Sequence, residues 1–283
     1  MELGTIVKGV GGFYTIRLES GQNAVTRPKG SFRSMGVSPI IGDRVRINSE
    51  TGVIVEILPR ENELLRPRVA NVTLGVIVAS LTEPGISYSL LDKLLIQNSA
   101  QGLVSAICFN KTDIAPFSLV EESYSIYKKS GAKLFYTSAA TGWGLGSLAY
   151  EARGHICLFS GVSGAGKSAI IALLCPGLGI VSGEVSRKIG RGKNTTRHTE
   201  IYETAAGGFL VDTPGFSAFD LSLPYDGIWQ HYPEFYDHSD CRYTNCLHLQ
   251  EPGCNVKAAA STGQISPVRY DSYVSIVSAL KPG

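Results

Sequence analysis

Residues 161–168 read Gly161-Val162-Ser163-Gly164-Ala165-Gly166-Lys167-Ser168, behind the apolar run HICLFS and ahead of AIIALLC. The spacing G-x-x-x-x-G-K-S between a predicted strand and a predicted helix is that of a phosphate loop. The glycines let successive backbone N–H groups curl around an anion with no Cβ in the way. The helix start, Ser168 and Ala169 included, adds a favourable dipole. Lys167 would reach β- and γ-phosphates, and Ser168 would ligate Mg²⁺. A glycine-rich turn that merely precedes a helix is the alternative, and the flanking strand and helix count against it. A strand–loop–helix unit of this kind commits the surrounding chain to a parallel sheet covered by helices.

The neighbouring sequence agrees. VTLGVIVASL, LVSAICFNKTD, AKLFYTSA and GGFLVDTPG read as buried parallel strands. LLDKLLIQNSAQG is predicted helical, with Leu91, Leu94, Leu95 and Asn98 on one side, and SLVEESYSIYKKSG is predicted as a helix stopped by Gly131. Residues 1–67 differ: short alternating stretches such as Tyr14-Thr15-Ile16-Arg17-Leu18 and Val53-Ile54-Val55-Glu56-Ile57 recur between glycines. That predicts a small β-barrel of OB type, although an SH3-like barrel fits the pattern nearly as well. After Leu223 the chain turns aromatic, His-rich and Cys-rich, and SPVRYDSYVSIVSAL could close it with a helix. The expected division is 1–67 barrel, 68–222 α/β domain and 223–283 small, mostly α, metal-binding domain. A length of 283 residues accommodates this.

Four further motifs carry chemistry. Asn110-Lys111-Thr112-Asp113 follows a predicted strand. The Asp113 carboxylate can accept from both N1–H and the exocyclic amine of guanine; adenine lacks the latter, so the motif selects GTP over ATP. The Lys111 stem can pack over the base. Ser138-Ala139 follows the next strand and resembles the element whose backbone N–H contacts guanine O6. Asp212-Thr213-Pro214-Gly215 ends FLVDTPG, where Asp212 could hold the Mg²⁺ shell and the Gly215 N–H could meet a γ-phosphate. Cys241-x₄-Cys246-x-His248-x₅-Cys254 supplies three thiolates and an imidazole, the donor set of a closed, structural tetrahedral Zn²⁺ site. His231 and His238 fall outside that spacing and read as surface or packing residues. Cys108, Cys157 and Cys175 sit in apolar stretches and read as buried small hydrophobes.

Composition excludes less. No run of eighteen apolar residues occurs, and the N-terminus has no basic segment ahead of a long apolar core, so a cytoplasmic protein without membrane contact is expected. The net charge of +2 decides nothing about nucleic acid. The modest basic excesses in residues 1–70 (ten against seven) and 184–200 (five against two) read as solvated faces.

The order of the motifs narrows the class. Ras-like GTPases place the phosphate loop first and Asn-Lys-x-Asp near the end; here the base-reading motif comes first. With the barrel before them and the Cys/His cluster after, the chain resembles the RsgA/YjeQ family of circularly permuted GTPases, which depend on the small ribosomal subunit in bacteria and plastids. The resemblance covers essentially the whole chain, including Gly42-Asp43-Arg44-Val45 and Leu91-Asp92-Lys93. It implies GTP hydrolysis, one structural Zn²⁺, Mg²⁺ with GTP or GDP, and a monomer that partners the small (30S) subunit and its 16S-type rRNA in late assembly. On the barrel, Phe13, Tyr14 or Phe32 could offer a stacking surface, although each reads first as a core residue.

The resemblance also assigns a first switch at Gly190-Arg191-Gly192-Lys193-Asn194-Thr195-Thr196-Arg197-His198. Thr196, or alternatively Thr195, would close over Mg²⁺. Asn194 stands where the family usually has the His proposed to aim the hydrolytic water, and Phe216 follows Gly215 where Ras-type enzymes carry Gln. Asn can hydrogen-bond a water but does not titrate near neutral pH; His198 is close in sequence and could substitute. Weak intrinsic hydrolysis is the expectation. The competing reading is a GTP-binding switch module with negligible hydrolysis and a non-ribosomal partner.

Overall fold

The computed structural model describes residues 1–34, 36–65, 67–176, 201–211 and 223–281. They divide into two compact units, Met1–Leu74 with Ala149–Phe159 and Ile171–Gly215, and Gly75–Leu148 with Ser160–Ile170 and Phe216–Gly283.

In the first unit, strands β1 (Glu2–Val10), β2 (Phe13–Leu18), β3 (Asn23–Pro28), β4 (Arg44–Asn48) and β5 (Val53–Ile57) close into a barrel in the order β1-β2-β3-β5-β4. The ring closes through an antiparallel β1–β4 pair and a parallel β3–β5 pair. That topology decides for the OB type over the SH3-like alternative. Period-2 alternation delivers Ile6, Ile16, Leu18, Val45, Ile47 and Ile54 to the interior. Gly4 keeps the barrel tight: a Cβ there would lie 2.6 Å from both the Arg17 carbonyl oxygen and Ile16 Cγ2. A short helix, α1 (Ser31–Ser34), follows β3. Phe32 is a core residue and Tyr14 is half-buried, with its hydroxyl donating to the Pro39 carbonyl at 3.3 Å. Phe13 is different: it is exposed, with the Arg27 guanidinium 4.5 Å above its ring.

The hairpin β6 (Glu63–Leu65) and β7 (Arg68–Ala70) is welded to the barrel. Buried Asp43 accepts from Arg60 Nε at 2.7 Å, and Asn71 Nδ2 donates to the Gly42 carbonyl at 2.9 Å. In the same unit, Arg17 on the barrel pairs with Glu203 at 2.7 Å.

Strands β8 (Leu74–Ser80), β9 (Val104–Asn110), β10 (Lys133–Tyr136), β11 (Ile156–Ser160), β12 (Ile201–Glu203) and β13 (Phe209–Val211) form a six-stranded sheet, order β10-β9-β8-β11-β13-β12. β10–β9 and β11–β13 are parallel, and β12 runs antiparallel to β13. All seven residues of β8 are buried, as a strand covered on both faces requires. Cys108, Cys157 and Cys175 are likewise buried.

Helices α2 (Tyr88–Ala100), α3 (Phe117–Tyr127), α4 (Leu145–Glu151) and α5 (Lys167–Leu174) punctuate these strands. α2 buries Leu91, Leu94, Leu95 and Asn98 as its periodicity predicts. Asn98 Nδ2 donates to the Gly75 carbonyl at 3.2 Å, and a Cβ at Gly75 would run into the Asn98 side chain. α3 stops at Tyr127, earlier than its sequence suggests; a turn follows in which the Ser130 N–H donates to the Tyr127 carbonyl at 2.9 Å, and Gly131 takes φ +77° after it.

After a 3₁₀ turn (Tyr225–His231), helices α6 (Pro233–Tyr236), α7 (Asn255–Ser261) and α8 (Pro267–Leu280) build a small core in the second unit. Ile228, Tyr232, Phe235, Val256, Tyr273 and Ile276 pack there, together with Ile96 of α2. α8 is the closing helix the sequence suggests. Among the described residues no helix is long and apolar enough to cross a membrane.

Candidate functional site

The phosphate loop, residues 161–168, leaves β11 and enters α5. Gly161, Gly164 and Gly166 take φ of +129°, +82° and +96°. A Cβ at Gly161 would collide with the Val78 carbonyl, and one at Gly166 with Asn110 Nδ2. Side chains are therefore excluded both by backbone conformation and by close neighbours. Lys167 folds back on the loop, its Nζ donating to the carbonyls of Gly161 at 2.5 Å and Val162 at 2.8 Å. Burial pushes the Lys167 ammonium below its ordinary pKa. An arriving phosphate would reverse that shift by pairing with the cation.

The base motif meets this loop through Asn110. Its Nδ2 donates to the Ala165 carbonyl at 2.9 Å, while its Oδ1 accepts from the Ala139 N–H at 3.0 Å and the Thr137 hydroxyl at 3.3 Å. One buried side chain thus joins three loops remote in sequence. Thr112 braces the same corner, its N–H and hydroxyl donating to the Thr137 carbonyl at 3.1 and 3.0 Å. Lys111 holds φ +68°, and its Nζ donates to the Glu83 carbonyl. Asp113 is exposed, free to meet a base from solvent. Buried Ser138 caps its own turn, accepting from the Thr141 N–H at 3.1 Å. Asn194, Thr195, Thr196, His198, Asp212, Gly215 and Phe216 lie outside the described residues; β13 ends one residue before Asp212.

The second cluster is Cys241, Cys246, His248 and Cys254, whose ligand atoms all lie within 4.8 Å of one another. Cys241 Sγ is 3.9 Å from Cys254 Sγ, and the two sulfurs are 3.5 and 3.4 Å from His248 Nδ1. Bonds of about 2.3 Å to sulfur and about 2.0 Å to nitrogen, set tetrahedrally, require edges of roughly 3.5–3.8 Å. The residues present therefore fit a zinc ion bound through Nδ1. His248 Nε2 is buried without a hydrogen-bond partner among the described residues, its ring standing edge-on to Trp229 at 5.4 Å and Phe235 at 6.0 Å between centroids. The N–H groups of Asn255 and Lys257 donate to Cys241 and Cys254 sulfurs at 3.4 Å each, which favours thiolates. Burial pushes the Cys246 thiol up to about 12.

Sequence reasoning missed what holds this loop. Glu251 accepts from the N–H groups of Leu247 at 3.1 Å and Leu249 at 2.8 Å, and the Tyr270 hydroxyl donates to the His248 carbonyl at 2.8 Å. These bonds steady His248 in the left-handed region, φ +58°. Only the polar residues inside the Cys/His spacing could have signalled Glu251. His231 and His238 take no part in the cluster; His231 Nδ1 sits 2.9 Å from Ser99 Oγ.

Comparison with known proteins gives a consistent result. The family model described as RsgA GTPase matches residues 57–222, and that described as RsgA N-terminal domain matches residues 3–54. A protein of Caldanaerobacter subterraneus subsp. tengcongensis named small ribosomal subunit biogenesis GTPase RsgA is 38% identical over 98% of this chain and 95% of its own length. A namesake from Geobacillus kaustophilus is 39% identical over 99% and 98%. Among solved structures, YjeQ from Thermotoga maritima superposes with a TM-score of 0.83 at 29% identity, covering 99% of this chain and 98% of that one. YloQ, described as a circularly permuted GTPase, gives 0.82 at 30% identity, covering 99% and 96%.

Proposed function

The chain belongs to the RsgA GTPase family, and from that premise we propose that it binds and hydrolyses GTP as a factor in late maturation of the small (30S) ribosomal subunit, which stimulates the hydrolysis. The observation that carries the reading is the Asn110 side chain, which holds the base motif, the Ser138-Ala139 turn and the phosphate loop in one constellation.

Within it, Asp113 reads the guanine N1–H and amine, the Lys111 stem covers the base, and the Ser138-Ala139 element offers a backbone N–H to O6. Backbone N–H groups of residues 161–169 cradle the phosphates and Lys167 neutralises them. Ser168, Asp212 and Thr196, or Thr195 in its place, would hold a magnesium ion, which when bound offsets charge developing on the transferred phosphoryl group. The Gly215 N–H would meet the γ-phosphate, and Asn194, or His198 in its place, would aim a water, so slow intrinsic turnover is expected.

The remaining assignments follow the same reading. We take the domains as 1–67, 68–222 and 223–283, a division in keeping with a GTPase family match that ends at residue 222. The last of them carries one structural zinc on Cys241, Cys246, His248 and Cys254. The monomer works in the cytoplasm and touches 16S-type rRNA with the barrel and the zinc-bearing domain. The exposed pair of Phe13 and Arg27 suits a base and its phosphate. Co-sedimentation with purified small subunits tests the partner. The chain with a non-hydrolysable GTP analogue is expected to pellet with 30S particles and the GDP form to remain largely free; equal recovery of both in the supernatant would rule the partner out.

A further inference from the structure

The loop that leads into helix α2 meets the nucleotide loops, and α2 itself packs against α8 and the 3₁₀ turn of the Cys/His-bearing segment. Ahead of it, the Leu81 N–H donates to the Asn110 carbonyl at 3.1 Å, and Lys111 holds the Glu83 carbonyl. Pro84 lies across the phosphate loop, where a Cβ on Gly164 would sit 3.7 Å from its Cδ. On the helix itself, Asp92 is fully buried and accepts from Arg269 Nη1 and from the Tyr127 hydroxyl, the latter at 3.1 Å. Arg269, on α8, is equally buried; its Nε donates to Glu234 Oε1 at 2.7 Å, and its guanidinium stands 4.4 Å over the Tyr232 ring.

This cluster is poorly explained as a source of stability. It takes one cation and two carboxylates out of water, and Glu234 Oε2 is left buried with no hydrogen-bond partner among the described residues. Apolar side chains of similar volume fill such a space without desolvating charge. What the ions add is direction. The planar guanidinium fork meets carboxylates along fixed lines, and here it meets one from α2 and one from α6.

We propose that Arg269 is a positioning residue for the nucleotide site: by clamping Asp92 and Glu234 it fixes helix α2, and through residues 81–87 it sets how firmly the phosphate loop and Lys111 hold a guanine nucleotide. The Cys/His-bearing segment thereby controls nucleotide release. The inference rests on the reading of that site as a guanine-nucleotide site.

Release of fluorescent mant-GDP from the full-length protein, chased with excess GDP, tests it. The triple variant Asp92→Leu, Glu234→Met, Arg269→Met removes the charges and keeps the volume. It is expected to retain the parent's metal content and cooperative melting yet release mant-GDP at least about fivefold faster, the scale of an ordinary site-to-site coupling. Arg269→Lys keeps the charge without the fork and is expected to shift release in the same direction. Parent-like release from a folded triple variant, or from Arg269→Lys where the triple variant does not fold, overturns the proposal. Failure of the parent chain itself to bind mant-GDP would instead remove the nucleotide-site reading, and the inference with it.

Discussion

Exchanging Asp113 for Asn is expected to weaken guanine-nucleotide binding by about 10²- to 10⁴-fold while leaving the fold intact. On the proposed reading the carboxylate would accept two charge-assisted hydrogen bonds from guanine, each worth about 1.5–3 kcal/mol. Asn keeps one oxygen, now uncharged, and sets its amide N–H against the guanine amine; one bond weakened, one lost and a donor left unpaired cost roughly 3–6 kcal/mol, or about one decade per 1.4 kcal/mol. The fold should not notice, because Asp113 is exposed and its loop is held by Thr112 and Asn110. The same change should improve binding of xanthine nucleotides, whose C2 carbonyl can accept from the new amide while N1–H still finds an oxygen. Calorimetric titration with GDP and XDP reads both effects. Undiminished GDP affinity would mean that another residue reads the base.

Loss of the metal is expected to have the other large effect. Cys246 and Cys254 are part of the core that includes Ile228, Phe235 and Tyr273. Burial and neighbouring thiols hold Cys246 protonated when no cation draws the charge, so without metal only weak thiol contacts and the Glu251 and Tyr270 bonds hold the loop. Structural zinc in small domains contributes about 10–16 kcal/mol of apparent binding free energy, which is folding free energy there. Cys246→Ser, or incubation with a strong chelator, should therefore melt residues 223–281, visible as lost amide protection in hydrogen exchange. GDP binding should survive in part, because the phosphate loop and base motif lie outside the segment. Full protection in a metal-free sample would show that the aromatic core suffices alone.

What the sequence revealed depended on how local the determinant was. The phosphate loop, Asn-Lys-Thr-Asp and the Cys/His spacing are short, and each owes its residue types to chemistry acting within a few positions. They were legible, and so was the buried face of α2, set by its own period. The barrel was legible only as a barrel: alternation in Tyr14–Leu18 is the same in OB and SH3-like folds, and the parallel β3–β5 closure is a long-range pairing. Phe13 was read first as core because an aromatic beside a glycine turn gives no sign of which face it takes; the structure turns it outward beneath Arg27. Arg269 carried no signal at all. Its partner Asp92 lies 177 residues away, and nothing near either residue betrays the other.

Single-turnover hydrolysis of GTP with and without purified small ribosomal subunits tests the central claim most directly. A slow intrinsic rate raised at least about tenfold by subunits, equivalent to about 1.4 kcal/mol off the barrier, is the expected result. Tight GTP binding with a rate that subunits leave unchanged would contradict it, and would leave the chain a nucleotide switch with another partner.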